Sequence, residues 1–268
     1  MTTEQRMQLM THPRGLLGLA LRLALCAHLC ALAVALGACE TETLSAPRNL
    51  VSPYSTTGPD FVWAVAPLTN ESGVSVVDNL SVSDALVNQI QQVSGLSAIP
   101  VNRVLTAMRA LDMQTVDSPE DAVALADAVG ADAIVAGAVT AWDPYEPPEI
   151  GMNLVLYVLR DELRDPNGGS EVDPRELQQA VTEGRLPARA RRTAPIAVAS
   201  KHFDAANHEV LANVRQYAEG RHDPGAPMGW RLYIASMSLF TEYACHALTE
   251  QLLDAERIRM ARIAMAED

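Results

Sequence analysis

The sequence predicts an α/β fold with a mixed, partly parallel sheet flanked by helices, preceded by a lipoprotein signal peptide. Short β-rich apolar runs alternate along the chain with amphipathic segments that are bounded by capping residues or glycine, and this alternation predicts the fold class. An uncharged apolar run that ends at Cys39 predicts the signal. The chain has 268 residues, of which 49% are hydrophobic, so it is long enough to bury one sizeable core.

The apolar run near the start of the chain has the layout of a secretory signal. Arg6, Arg14 and Arg22 precede "LALCAHLCALAVALGA", which covers residues 23–38. The stretch Leu36-Gly37-Ala38-Cys39 resembles a bacterial lipobox. That resemblance implies that residues 1–38 are a signal peptide and that Cys39 receives a diacylglycerol, becomes the first residue after cleavage and is then acylated on its amine.

Alternatives remain for this segment. Residues 16–38 are long enough to be an uncleaved transmembrane anchor, and the run also fits a buried core helix. The basic flank is long for a signal, so translation starting at Met7 or Met10 instead of Met1 is a further alternative. Glu40, rather than aspartate, follows Cys39, and the lipoprotein pattern then implies the outer membrane, with the body facing the periplasm.

Charge and cysteine content exclude several classes of function. The formal net charge is −13, and without residues 1–38 it becomes −15, from 17 Lys and Arg against 32 Asp and Glu. A nucleic acid backbone would be repelled, so we predict no nucleic acid partner. Cys26 and Cys30 lie among Leu and Ala without further ligands, and Cys39 and Cys245 alone do not make a disulfide scaffold.

Residues 39–59 are predicted to be the lipidated cysteine and a flexible tether, since they are rich in Thr, Ser and Pro and have no sustained apolar period. A short edge strand near Leu50 and Val51 is the alternative. The predicted α/β domain covers residues 60–255 and begins with a buried strand in "FVWAVAPL".

Two helices are predicted next, separated by a strand in "LSAIPV". The first has apolar residues at spacings of three and four, Ser81 as its N-cap and Gly95 as its stop. The second, "NRVLTAMRAL", has Asn102 as its cap.

The segment from Ser118 gives the clearest helix and strand. Ser118 caps the helix, Pro119 fits its first position, and Gly130 stops it. Val123, Ala126 and Val129 are expected to face inward. Then "DAIVAGAVTAW" is predicted to be a strand.

A proline-rich loop, "DPYEPPE", follows, and "IGMNLVLYVL" resumes a strand. Residues 161–192 are charged and are predicted to be a surface excursion. They include a basic run of Arg185, Arg189, Arg191 and Arg192. This run is predicted to be solvated, and contact with anionic lipid or an acidic polymer is the alternative.

The last part is predicted to be a strand in "TAPIAVASKHF", a helix in "HEVLANVRQYAEG" and a long final helix from about Trp230 to beyond Leu253. In the first of these helices Val210, Val214 and Tyr217 face inward. The final helix has an apolar stripe of Tyr233, Met237, Phe240, Ala244, Leu248 and Leu252. Residues 256–268 are predicted to be a tail that projects past the body.

The sequence gives only weak signals for catalytic or metal-binding sites. His202, Asp204 and His208 suggest a metal site, but turn chemistry by Asp204 and Asn207 is favoured because no fourth ligand is implied. Adjacent positions on a helix point about 100° apart, which argues against Cys245 and His246 as a nucleophile and base. Three acids of the proline loop, Asp143, Glu146 and Glu149, fit an exposed rim better than acid and base catalysis.

The segments "WAVAPLTNESG", "LSAIPVNRV" and "DAVALADAVGADAIVAGAVTAWDPYEPPEIGMNLVLY" resemble the periplasmic α/β domain of curli-secretion (CsgG-like) lipoproteins and their relatives. Those relatives include the lipoprotein activators of penicillin-binding proteins and the N-terminal domain of TolB. The motifs are Pro67-Leu68 followed by Asn70 and Gly73, and Gly130-Ala131-Asp132 before a long strand. The resemblance covers about residues 61–158 and implies a fold, with no catalytic residue, cofactor or metal.

We therefore expect a non-enzymatic lipoprotein that is anchored in the outer membrane. It would serve secretion or cell-envelope construction as an accessory or assembly module, and it is a candidate for homo-oligomerisation. Its predicted contact residues are Trp142, Tyr145, Pro147, Pro148 and Trp230, with burial at sheet ends as the alternative. An envelope hydrolase is a competing hypothesis. A secretion-channel subunit is another, against which the Arg, Asp and Pro content of residues 161–192 argues, because membrane hairpins need alternating lipid-facing residues.

Overall fold

The computed structural model describes residues 49–54, 60–160, 193–223 and 225–266. The predicted signal, Cys39, the excursion 161–192 and its basic run lie outside these residues. The strands are β1 Phe61–Val65, β2 Thr69–Asn70, β3 Leu96–Ala98, β4 Ala133–Asp143, β5 Glu149–Val158 and β6 Ala197–Asp204. The helices are α1 Asn79–Gln91, α2 Val101–Ala110, α3 Pro119–Val129, α4 His208–Ala218, α5 Leu232–Ala235 and α6 Met237–Ala266, with a 3-10 turn at Gly229–Arg231.

The strands form one mixed sheet in the order β3-β1-β4-β5-β6, with β2 paired to β4 beyond the end of β1. The strands β3, β1 and β4 are parallel, because helices connect them, whereas β4, β5 and β6 are antiparallel. The predicted α/β class and mixed, partly parallel sheet are confirmed.

Helices cover the two faces of the sheet unequally. On one face α1, α4 and α6 enclose the larger hydrophobic cluster around Trp63, Phe203 and Phe240. On the other face α2 and α3 enclose a smaller cluster over β1 and the first half of β4, around Ile134 and Leu125. The far half of this second face, on β5 and β6, carries exposed Asn153 and Ser200.

Two predicted caps are wrong. The helix α1 is capped by Asp78, whose Oδ1 accepts from the N–H of Ser81 at 3.1 Å, so Ser81 is inside the helix. The helix α2 begins at Val101 after Pro100, and Asn102 is not its cap. Pro100, with φ −59° and ψ 140°, occupies the cap position, so the helix begins two residues before the start that a cap at Asn102 would give.

The helix α3 confirms its predicted boundaries but not the whole of its predicted inward face. Ser118 and Asp121 form a reciprocal capping box, Pro119 is the first helical residue, and Gly130 ends the helix at φ 73°. The buried residues are Ala122, Leu125 and Ala126, with Val123 and Val129 half-buried beside them. The face was therefore predicted about one position away from where it lies.

The predicted final helix is interrupted. Ser236 has extended backbone angles, which separates α5 from α6. Most of the predicted stripe is buried, and Met237 is half-buried. In α4, the inward face of Val210, Val214 and Tyr217 is confirmed.

Asp132 of the Gly-Ala-Asp motif connects three segments of the chain through its side chain. The Oδ2 of Asp132 accepts from the N–H of Val62 at 2.9 Å, and its Oδ1 pairs with Nη2 of Arg160 at 2.6 Å. The guanidinium of Arg160 also lies 4.3 Å from the ring centroid of Phe61. Asp132 thus joins β1 and the residues after β5 at the point where β4 begins, which is a structural role.

Residues 49–54, which were predicted to belong to the tether, pack against the domain. Val51 forms a bridge with Ser94, as the alternative of a short edge strand expected, and Tyr54 stacks on Phe61 with ring centroids 4.2 Å apart. Tyr54 is 4% exposed. Asn49, the first described residue, therefore lies at the start of a segment that is packed on the domain.

The long strand β4 separates two ends of the sheet. One end, here called the tether end, holds the Val51–Ser94 bridge and the start of β4; the loop end holds the connection between Asp143 and Glu149. The 11 residues of β4 span about 33 Å between them. The helix α6 runs from the loop end, where Tyr243 contacts Phe203, towards the tether end, where Glu256 lies beside Tyr54.

Candidate functional site

The connection from Asp143 to Glu149, called the proline loop, closes the most extensively paired ladder of the sheet. The Oδ1 of Asp143 accepts from the N–H of Tyr145 at 3.0 Å, and the carbonyl oxygen of Pro148 accepts from the N–H of Ala205 at 3.0 Å. Both ends of the loop are thus held by the sheet. The Tyr145 side chain between them is 79% exposed.

The predicted contact residues of this loop have different environments. Pro147 is exposed and Pro148 is buried. Trp142 is half-buried and packs against the larger cluster, because an irregularity between Val139 and Ala141 shifts the register and turns Trp142 to that face. Tyr145 and Pro147 are therefore the surface contacts that the loop offers, while Trp142 and Pro148 support it.

Acidic residues form a row across the strands beside the proline loop. Asp143 pairs with Glu149, and Glu149 pairs with Asp204, in the registers of the antiparallel strands. The Nε2 of His202 lies 3.5 Å from Oε2 of Glu149, which offsets one of these charges when the histidine is protonated. The row is compatible with a cationic partner.

Trp230 does not offer a free aromatic anchor. It is half-buried against the larger cluster, and the guanidinium of Arg231 lies 5.1 Å from its ring centroid. This partial burial fits the predicted alternative of burial, and a contact role for Trp230 stays a prediction.

Residues of the candidate histidine and cysteine sites make structural contacts. The Oδ1 of Asp204 accepts from Ala206, and the Oδ1 of Asn207 accepts from Glu209, which is the turn chemistry favoured from the sequence. Cys245 is fully buried with its Sγ 3.9 Å from the carbonyl oxygen of Val82, and burial raises the pKa of its thiol. Within the described ranges, no group of three or more His, Cys, Asp or Glu side chains is arranged to hold a metal ion.

A groove that the sequence did not predict lies between β6, α4 and α6. It has a volume of about 380 Å³, and its lining includes Lys201, Gln216, Arg221, Glu250 and Asp254. Its floor contains Tyr217 and Tyr243, and burial raises the pKa of each to about 12. The guanidinium of Arg221 lies 4.3 Å from the Tyr217 ring centroid, so that ring is covered and does not offer a stacking surface.

Lys201 is the only lysine of the chain, and it lies on the same face of β6 as buried Ala199 and Phe203. Its Nζ is 5.5 Å from the Phe203 ring centroid. Among the described strands β6 is at the edge of the sheet, and a charge that points towards the core side opposes the addition of another strand. Lys201 therefore disfavours strand pairing along β6.

At the tether end, an ion pair is buried under the N-terminal segment. Glu256 is 0% exposed, and its two carboxylate oxygens accept from Nε and Nη2 of Arg259 at 2.6 and 2.7 Å. Burial and the nearby carboxylate of Glu256 raise the pKa of Tyr54 well above its ordinary value. The sequence contains a signal for this buried ion pair. Glu256 follows the inward-facing Leu248 and Leu252 at the same spacing of four, so it occupies a core-facing position of the helix.

Comparisons with known proteins give weak likenesses. No family model and no curated protein matches the chain. The LpoB C-terminal domain from Salmonella enterica is 15% identical over 39% of this chain and 76% of that chain, with a TM-score of 0.32. Lipoprotein GNA1162 from Neisseria meningitidis is 14% identical over 57% of this chain and 90% of that chain, with a TM-score of 0.35.

The hypothetical protein CT253 from Chlamydia trachomatis is 14% identical over 75% of this chain and 95% of that chain, with a TM-score of 0.29. The LpoB likeness falls within the predicted resemblance to lipoprotein activators of penicillin-binding proteins, and the curli-secretion part of that prediction stays a prediction. All three TM-scores lie below 0.5, and none of the three identities exceeds 15%.

Proposed function

We propose that the protein is an outer-membrane lipoprotein that is anchored through Cys39, faces the periplasm and acts as a non-enzymatic docking module for secretion or cell-envelope proteins. Residues 1–38 would be its signal, residues 39–59 the lipidated cysteine and tether, 60–255 the domain with the excursion 161–192, and 256–268 the tail. The geometry of the domain supports this proposal in two ways.

The observation that carries the proposal is the placement of the N-terminal segment and the proline loop at opposite ends of the sheet. The first described segment, which begins at Asn49, lies at the tether end, whereas Tyr145 lies at the loop end, about 33 Å further along β4. A protein anchored at one end presents the other end to the periplasm. Exposed Tyr145 is therefore available to a partner that does not contact the membrane.

The proline loop also has the properties of a contact site. Tyrosine is enriched among interface hot spots, because its ring provides contact area at low entropic cost. The hydrogen bonds from Tyr145 to Asp143 and from Ala205 to Pro148 hold the loop in one arrangement before binding. The acidic row beside it would favour a partner with a basic patch.

Replacing Cys39 by serine is expected to release the protein from the membrane fraction. Serine lacks the thiol that receives the diacylglycerol, and the acyl chains that hold the protein to the bilayer are then absent. The measurement is sedimentation of membranes from intact cells, with mass spectrometry of the N-terminus. Cys245→Ser is the matched control, because Cys245 is buried in the core. A Cys39→Ser protein that still sediments with membranes would contradict the anchor.

Tyr145→Ala is expected to reduce recovery of the partner after crosslinking in intact cells. Truncation of a hot-spot tyrosine costs about 2 kcal/mol, which is roughly thirtyfold in affinity. The partner is identified by mass spectrometry of proteins captured by a photocrosslinking residue at position 145. The control carries the crosslinker at Leu111, which is 42% exposed at the end of α2. Equal capture of the same proteins from both positions would exclude the proline loop as the contact.

A further inference from the structure

The last turns of α6 present an apolar stripe to solvent. Ile258 is 54% exposed and Met265 is 70% exposed, and residues seven apart lie on one face of a helix. Glu256 and the half-buried Ile263 lie on the opposite face, which packs towards the domain. Arg262 follows Ile258 by four residues, so it flanks the same stripe.

This stripe begins beside the N-terminal segment, residues 49–54. The Nη2 of Arg257 donates to the carbonyl oxygen of Val51 at 3.2 Å, which places the first of these helical turns beside the N-terminal segment. Only nine residues lie between Cys39 and Asn49, so ten extended steps place Asn49 within about 35 Å of Cys39. With the proposed anchor at Cys39, the end of α6 would be kept within reach of the bilayer surface.

The chemistry of the stripe matches a phospholipid surface. A helix that lies on a membrane has apolar side chains on one face with basic residues beside them, as Ile258, Met265 and Arg262 are arranged here. Arg257 is shared with the carboxylate of Asp254, and Glu267 and Asp268 follow in the sequence. The positive charge is therefore local, and the two apolar side chains are expected to supply most of the affinity.

We propose that the end of α6 rests on the membrane that carries the anchor, with Ile258 and Met265 among the lipid headgroups, and that this contact keeps the proline loop directed away from the bilayer. The inference rests on the proposed lipid anchor. A single weak contact is sufficient, because the tether holds the helix at a high effective concentration next to the surface.

The test uses the acylated full-length mature protein reconstituted in vesicles of phosphatidylethanolamine and phosphatidylglycerol. An environment-sensitive fluorophore is attached through Met265→Cys, and the buried Cys245 does not compete for the label. Lipids with a nitroxide near the headgroup are expected to quench this label at least about twofold more than the same label attached through Tyr145→Cys. Ile258→Glu, at an exposed position, is expected to abolish the difference, and Arg262→Glu is expected to reduce it.

Equal quenching at positions 265 and 145, in vesicles that retain the protein, would overturn the contact while leaving the anchor intact. Loss of the protein from the vesicles would instead count against the anchor. Protection of the label at position 265 in detergent that rises with protein concentration would assign the stripe to a second copy of the chain and would also overturn the proposal.

Discussion

Replacing Gly137 by alanine is expected to destabilise the protein by about 3 kcal/mol, the top of the usual range for overpacked cores. A Cβ at this position would lie 2.0 Å from the carbonyl oxygen of Asn153 and 3.0 Å from a side-chain carbon of Leu154. The carbonyl belongs to β5, which is paired on both sides, so it cannot move without disturbing the ladder with β4 or with β6. The measurement is urea unfolding followed by tryptophan fluorescence, to which Trp63, 0% exposed, contributes together with Trp142 and Trp230.

Gly225→Ala is the matched control for this substitution. Gly225 lies in an exposed loop, and an added Cβ would lie 3.3 Å from the carboxylate of Asp223, a side chain that can rotate away. We expect the free energy of unfolding to change by less than about 0.5 kcal/mol. If Gly137→Ala behaved like this control, the close approach of β4 and β5 at this position would be incorrect.

The sequence predicted the boundaries of a helix correctly where residues adjacent in the chain determine them. Ser118, Pro119 and Gly130 specify a cap, a first turn and a left-handed stop, and α3 follows them. The N-terminus of α1 was wrong because Asp78 and Ser81 are both good capping residues, and only the direction in which the chain enters the helix decides between them. The strand β2 has two residues, too few for any periodicity.

The candidate sites were predictable only where one loop forms them. The proline loop was found because its residues are consecutive, although the burial of Trp142 depends on a register shift that the sequence does not reveal. The groove combines β6, α4 and α6, and the tether end combines Tyr54 with Glu256, about 200 residues later in the chain. Such sites depend on the strand order and on the direction of α6, which local patterns do not specify.

Stability is expected to fall steeply above pH 10, because two buried tyrosines retain their protons in the folded state. Burial raises the pKa of Tyr217 and of Tyr243 from 10.0 to about 12. The unfolded chain releases these protons near pH 10 and the folded protein near pH 12, so unfolding releases protons in this window and is favoured as the pH rises. Each tyrosine contributes about 2 to 3 kcal/mol to the loss by pH 12.

Other buried groups titrate in the same window, because burial also raises the pKa of the Tyr54 hydroxyl and of the Cys245 thiol. Lys201 is the only lysine among 268 residues, and the remaining basic side chains of the Lys and Arg total are arginines, which stay charged. Tyr217 and Tyr243 are therefore expected to share the alkaline dependence with Tyr54 and Cys245, and single-residue variants separate their contributions. The free energy of unfolding is measured by urea titration at each pH, and tyrosinate formation is followed by ultraviolet absorbance.

The variants Tyr217→Phe and Tyr243→Phe make this argument falsifiable. Each loses a hydrogen bond, from Tyr217 to Gln89 at 3.4 Å or between Tyr243 and Asn213, and each should cost about 1 kcal/mol at pH 8. Neither phenylalanine has a proton to lose, so each variant should become more stable than the parent as the pH approaches 12. Tyr145→Phe, at a side chain that is 79% exposed, should follow the parent throughout. Parallel curves for the parent and both core variants would show that Tyr217 and Tyr243 do not cause the alkaline loss, because a lost hydrogen bond alone shifts the curve without changing its slope.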